Sequence, residues 1–287
     1  MENVATHTYP YVNLTKPGII MGNVITSAGG FALASRGGFN FLLFLVTLLG
    51  ISLIIASACV CNNYIDRTSD GMMERTKNRP LVQGVISTRS ALVFALILGL
   101  AGASLLYAFV NLLALSVALF GFLVYVMLYS FSKHRSIHGT LIGSVAGAVP
   151  PVVGYCAASS SFDGGALIFF LILAMWQMPH FFAIAIRRIE EYAAANIPVL
   201  PIVKGVKATK IQMVCYILIF TMATSMLTLF GYAGLGFLIA TALLGLTWLA
   251  LCIKGFKSTN DTLWARQMFL FSLVVIMGLC AVIPFSV

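Results

Sequence analysis

Charge is what this sequence most plainly lacks. Only 9% of its 287 residues are charged and eight are acidic, while 60% are hydrophobic. A soluble globular domain carries about a quarter charged residues, so that class is excluded. The apolar residues run on rather than alternate, and lipid admits only helices or closed barrels; the fold class is therefore all-α. Residues 1–16 are polar, with no basic stretch ahead of a short apolar core, and do not read as a cleaved signal. The six cysteines all lie in apolar runs, none with zinc-ligand spacing and none in a disulfide framework. They read as packing residues. A nucleic-acid-binding protein would need a basic domain outside the apolar runs, and there is none.

What is present is a series of apolar runs of roughly 17–25 residues, the length that crosses a bilayer. Nine are read: 17–35, 40–62, 89–111, 112–130, 139–158, 165–186, 210–229, 231–253 and 267–286. The chain is thus a polytopic membrane protein with nine transmembrane helices and a single domain spanning 1–287. Its 17 Lys and Arg divide sixteen to one across this topology, only Arg36 falling on the minority side. The positive-inside rule then puts the N-terminus and the even-to-odd connections in the cytoplasm and the C-terminus outside. The net charge of +9 reflects topology first.

Two connections, 63–88 and 187–209, are long and hold most of the acidic residues. Loops of that length in a compact bundle are usually functional. In the first, Asn62, Asp66 and Asp70 recur every four residues, so in a helix they share one face with Cβ atoms about 5–6 Å apart. Three oxygen-bearing side chains so stacked repel one another unless a cation intervenes. Arg67, Arg75, Lys77 and Arg79 lie alongside, so the same place can hold an anion. A hard divalent metal bridging carboxylates to a phosphate ester is the simplest chemistry that uses both. The competing reading is an ordinary charged helix end. Asn62, reaching back into the apolar helix where polar groups are costly, favours function.

Other groups carry weaker signals. Trp176-Gln177-Met178-Pro179-His180 lies inside the sixth helix, where a mid-helix proline removes a hydrogen bond. It is either a histidine satisfied by a neighbour or an aromatic pocket with polar handles, and the second reading is preferred. Glu191 either sits in an interfacial turn closed by Pro198 and Pro201 or faces the first acidic patch. Tyr129 and Lys133, at the end of the fourth helix, can reach a phosphate, although Lys133 fits a snorkelling surface residue equally well. Gly139, Gly143 and Gly147 recur four apart and read as helix-packing positions.

Taken together, these motifs resemble the UbiA superfamily of intramembrane prenyltransferases. Within it, residues 62–67, 73–81, 176–180 and 193–201 resemble the protohaem IX farnesyltransferase branch, with Thr15-Lys16-Pro17 and the segment 147–151 also fitting. The resemblance covers essentially the whole chain. It implies nine helices around a central cavity open to the cytoplasmic side of a bacterial inner membrane. It also implies a reaction, in which farnesyl diphosphate and haem B give haem O and diphosphate. Mg²⁺ would be held by Asn62, Asp66 and Asp70, and the diphosphate neutralised by Arg67, Arg75, Lys77, Arg79 and Lys133, with Lys16 and Tyr129 also binding substrate. Trp176, Gln177 and His180 would lie on the haem side, deeper than Glu191. The product would pass to a haem-copper oxidase or a haem A synthase. Two positions depart from the superfamily pattern. Its second pair of aspartates is replaced by Arg187 and Glu191, and Gly71 stands where the haem branch often has a basic residue.

Two alternatives remain from the residues themselves. A quinone-type aromatic prenyltransferase shares the first motif but is not expected to carry Trp176–His180. An ion-coupled transporter would use Asp66 and Asp70 as an ion site, against which no acidic residue occurs at the centre of any apolar run.

Overall fold

The computed structural model describes residues 9–35 and 37–286. Among them are nine helices long and apolar enough to cross a membrane: α1 Pro17–Ala34, α2 Phe41–Asp70, α3 Thr88–Phe109, α4 Leu112–Ser132, α5 Gly139–Ser159, α6 Gly164–Arg187, α7 Gly205–Leu229, α8 Leu235–Lys257 and α9 Asp261–Phe285. Arg36, the lone basic residue on the minority side, lies outside the described residues. Helix starts are marked by side chains that take the otherwise unpaired first-turn N–H groups. Asn40, Ser87, Asn111, Asp163 and Asn260 each accept from a backbone amide two or three residues on.

Several helices outrun the apolar stretches that announced them. α2 has 30 residues, about 45 Å at 1.5 Å per residue, against a hydrocarbon core of about 30 Å. Its last two turns carry the polar motif out of the apolar layer while the backbone stays hydrogen-bonded within the helix. α7 and α9 likewise begin at 205 and 261 rather than 210 and 267.

Two irregularities shape the interior. α4 passes through a π-helical turn, Val124–Tyr129, a widening that recurs at functional sites. Tyr125 and Tyr129 stack there, 5.4 Å between ring centroids. α5 breaks at Ala148, where Pro150 and Pro151 open its second half. Helix α6 runs unbroken through Pro179.

Close approach is achieved with glycine where the sequence placed it. A Cβ on Gly30 would overlap the Pro151 carbonyl, and one on Gly154 the Ser27 carbonyl, so α1 and α5 touch backbone to backbone. α2 pairs with α3, α6 packs on α5, α7 and α9, and α9 returns to α1, which closes the bundle. Leu96, Met222, Leu229 and Leu243 point outward and are exposed, the surface a lipid environment would cover. The cysteine reading holds in part. Cys59, Cys156, Cys252 and Cys280 are buried, but Cys215 is exposed on α7 and packs no core.

Candidate active site

The ends of α2, α4 and α6 and the start of α1 surround a polar chamber of about 420 Å³. Asn62, Asp66 and Asp70 line it from one face of α2 and are all buried, at 2–3% exposure. Each oxygen-bearing group meets a cation from elsewhere in the chain. Lys16 Nζ donates to Asn62 Oδ1 at 2.6 Å, Lys133 pairs with Asp66, and Arg79 pairs with Asp70. The repulsion inherent in the motif is relieved by the protein's own charges. Asn62 Nδ2 donates to Ser130 Oγ at 3.1 Å, so its amide is fixed at both ends. Lys16 adopts the left-handed conformation, φ +53°, unusual for a side chain with a Cβ. Enclosure pushes its ammonium down to about 8, and Arg79 adds to the effect.

The two long connections meet across the chamber. Thr76 Oγ1 donates to the Asp70 carbonyl at 2.8 Å, which folds the first loop back over the helix end. Met73 packs on Ala195 and Ile197 of the second loop. Glu191 is held by Arg188 and lies 3.9 Å from Arg75 Nε. Glu191 therefore reaches the first loop through Arg75, not through the aspartates.

Below lies an apolar chamber of about 520 Å³ that shares Ile19, Tyr125, Tyr129 and Phe181 with the polar one. Trp176, Gln177 and His180 line it. Trp176 and His180 stack, 4.9 Å between centroids and 25° between planes, as residues one turn apart on a helix can. The spaced glycines of α5 make room for these side chains. A Cβ on Gly143 would come within 2.9 Å of the Tyr129 ring, and one on Gly147 would collide with the Gln177 amide.

A UbiA prenyltransferase family model matches residues 23–274. The chain belongs to the UbiA prenyltransferase family. A relative from Protochlamydia amoebophila, named protoheme IX farnesyltransferase, is 55% identical over 276 residues, 96% of this chain and 98% of the relative. Among solved structures, that of a digeranylgeranylglyceryl phosphate synthase superposes with a TM-score of 0.78 at 19% identity, over 99% of this chain and all of the other. A UbiA homologue from Archaeoglobus fulgidus, solved with GPP and Mg²⁺, gives 0.62 at 17% identity, over 96% of this chain and 99% of the other. At such identities the likeness is one of fold.

In this UbiA-family chain the predicted residues divide sharply. Lys16, Asn62, Asp66, Asp70, Arg75, Arg79, Tyr129 and Lys133 share the polar chamber, and Trp176, Gln177 and His180 the apolar one. Arg67, Lys77 and Glu191 line neither, Glu191 standing behind Arg75 and Arg188. Arg67 is exposed, lies over the Tyr64 ring and donates to the Tyr64 carbonyl at 2.7 Å. Lys77 is turned to Glu74 at 2.7 Å. A helix shows one face to a cavity, and Arg67 directly follows Asp66 on another. Residues not anticipated as site members are Tyr125, at helical spacing from Tyr129, and His134, whose Nε2 is 3.5 Å from Asp66 Oδ1. Arg188 and Ser272 complete the set, and nothing in the sequence marks Ser272.

The donor set can be tested against a hard divalent cation. Among the described residues no three of His, Cys, Asp and Glu form a metal cluster. The motif offers two carboxylates and an amide, and Mg²⁺ is typically held by one or two carboxylates together with substrate phosphates. Asp66 Oδ1 is buried and accepts no hydrogen bond, leaving an oxygen open to such an ion. The residues fit the group.

Proposed function

We propose that this membrane protein, acting as one domain, transfers the farnesyl group of farnesyl diphosphate to a vinyl group of haem B. Water adds, and haem O and diphosphate are released. The observation that carries this reading is 55% identity along nearly the whole chain to a protoheme IX farnesyltransferase. Two joined chambers, one charged and one apolar with an aromatic wall, support it.

Asn62, Asp66 and Asp70 would hold Mg²⁺, which when bound stabilises charge on the departing diphosphate. Arg75, Arg79 and Lys133 stand close enough to exchange carboxylate partners for phosphate oxygens, and Lys16 to exchange the Asn62 amide oxygen for one. Fixed cations of this kind favour the charge that develops on the leaving group. As the C1–O bond breaks, positive charge grows on the farnesyl carbon beside Tyr125 and Tyr129, whose ring faces attract cations. The apolar chamber limits water, so the haem vinyl rather than solvent meets the allylic carbon first. Glu191 supports the site by holding Arg75. The surplus of Lys and Arg at the ends of α2, α4, α6 and α8 supports a cytoplasmic location for the charged chamber. Haem O would leave for a haem-copper oxidase or a haem A synthase.

The test is reconstitution in liposomes with haem B, farnesyl diphosphate and Mg²⁺, the pigments separated by reverse-phase chromatography. A later-eluting haem heavier by a farnesyl group and a hydroxyl is expected. Unchanged haem, or prenylation of an aromatic quinone precursor instead, overturns the reading.

A further inference from the structure

Ser272 lies on α9, fully buried, opposite the aromatic pair of α6. Both of its oxygens are engaged there. Its carbonyl accepts from Trp176 Nε1 at 2.8 Å, and its hydroxyl lies 2.7 Å from His180 Nδ1. One residue thereby holds the indole and the imidazole in their stack. Its hydroxyl also donates to the Phe269 carbonyl at 2.5 Å.

A proton count settles the roles in this chain of contacts. A serine hydroxyl has one hydrogen, and a carbonyl can only accept. The hydrogen of Ser272 goes to Phe269, so the contact with His180 needs the other partner to donate. Nδ1 therefore carries its proton and gives it to Ser272 Oγ. A neutral imidazole so bound has its lone pair on Nε2. Among the described residues no hydrogen bond engages that nitrogen, and the ring lines the apolar chamber. Phe269 closes on the same ring, 5.0 Å between centroids.

From this we infer that Ser272 is a positioning residue that sets the tautomer of His180, whose Nε2 then ligates the iron of the haem substrate. The inference rests on the reading of the apolar chamber as a haem site and goes beyond it. A haem carboxylate as the partner would need a second proton on the ring, because a carboxylate and an unprotonated nitrogen are both acceptors; the iron needs none. Metal-bound histidines commonly donate their second N–H to a neighbour that orients the ring and raises its basicity. Ser272 supplies that bond across 92 residues of sequence.

The test titrates the purified full-length protein with haem B and records the visible spectrum and, for the ferrous form, the iron–histidine stretching band by resonance Raman. Wild type should show a histidine-ligated spectrum, and His180→Gly should lose it and regain it with added imidazole. Ser272→Ala should weaken haem binding by about 10–100-fold and move the iron–histidine band to lower frequency. Ser272→Thr, which keeps the hydroxyl, should return both towards wild type. A merely structural serine would leave the band where it was. If Ser272→Ala does not fold, the His180→Gly experiment decides, because absence of imidazole rescue overturns iron ligation. An unchanged spectrum in His180→Gly, or an unshifted band in Ser272→Ala, does the same. Wild-type farnesylation of haem alongside either result leaves the proposed reaction standing and removes only this inference.

Discussion

Asp66→Asn separates the chemistry of the charged chamber from its electrostatic upkeep. The substitution keeps the shape and removes the charge that faces Lys133 and His134. Asp66 is 3% exposed and the Lys133 side chain 15%, so an ammonium is left nearly buried without its anion. Removing one partner of a buried pair costs about 3–5 kcal/mol. The residual exposure of Lys133 and the nearby cavity argue for the lower end, about 3 kcal/mol. Turnover should fall by at least about 10²–10³-fold, the usual loss when one preorganised electrostatic contact to the transition state is deleted. The companion Asp66→Asn/Lys133→Met removes both charges. Its thermal midpoint in detergent should recover most of the single variant's loss, while haem O formation stays as low as in the single variant. Haem O would be assayed chromatographically, and folded protein by size exclusion. Wild-type turnover by Asp66→Asn at normal protein levels refutes the reasoning. So does a double variant that regains activity together with stability, since Asp66 would then serve only to neutralise Lys133.

Chelation with EDTA should abolish haem O formation, and added Mg²⁺ should restore it; turnover unaffected by chelation removes the metal assignment. Arg67→Ala and Lys77→Ala should change turnover less than twofold, whereas Arg79→Ala, which strips Asp70 of its partner, should lower it at least about tenfold, as judged by the same assay. Gly154→Ala forces a methyl group onto the Ser27 carbonyl and should destabilise the α1–α5 contact by about 1–3 kcal/mol, measured as a lowered thermal midpoint. A cysteine at Glu74, whose side chain is 79% exposed, should resist an impermeant thiol reagent applied outside cells; labelling from that side overturns the topology.

What the sequence by itself determined was whatever follows from neighbours along the chain. Hydropathy counted nine spans because a helix satisfies its backbone internally whatever surrounds it. Helical periodicity put Asn62, Asp66 and Asp70 on one face, and Trp176 above His180, because residues four apart coincide on any helix. The ends were misjudged where polarity was taken to stop α2 at 62, since its hydrogen bonding carries on to Asp70. Partnership across the bundle was decided only by the tertiary structure. Arg79 and Lys77 are two residues apart with like charge, yet one turns to Asp70 and the other to Glu74. The π-turn in α4 that stacks Tyr125 on Tyr129 has no periodic signature. Lys16 meets Asn62 across 46 residues, Lys133 meets Asp66 across 67, and Ser272 meets His180 across 92. Such meetings depend on the rotation of each helix about its axis and on its depth beside its neighbours. Packing of the whole chain sets both, and no stretch of one helix contains that information.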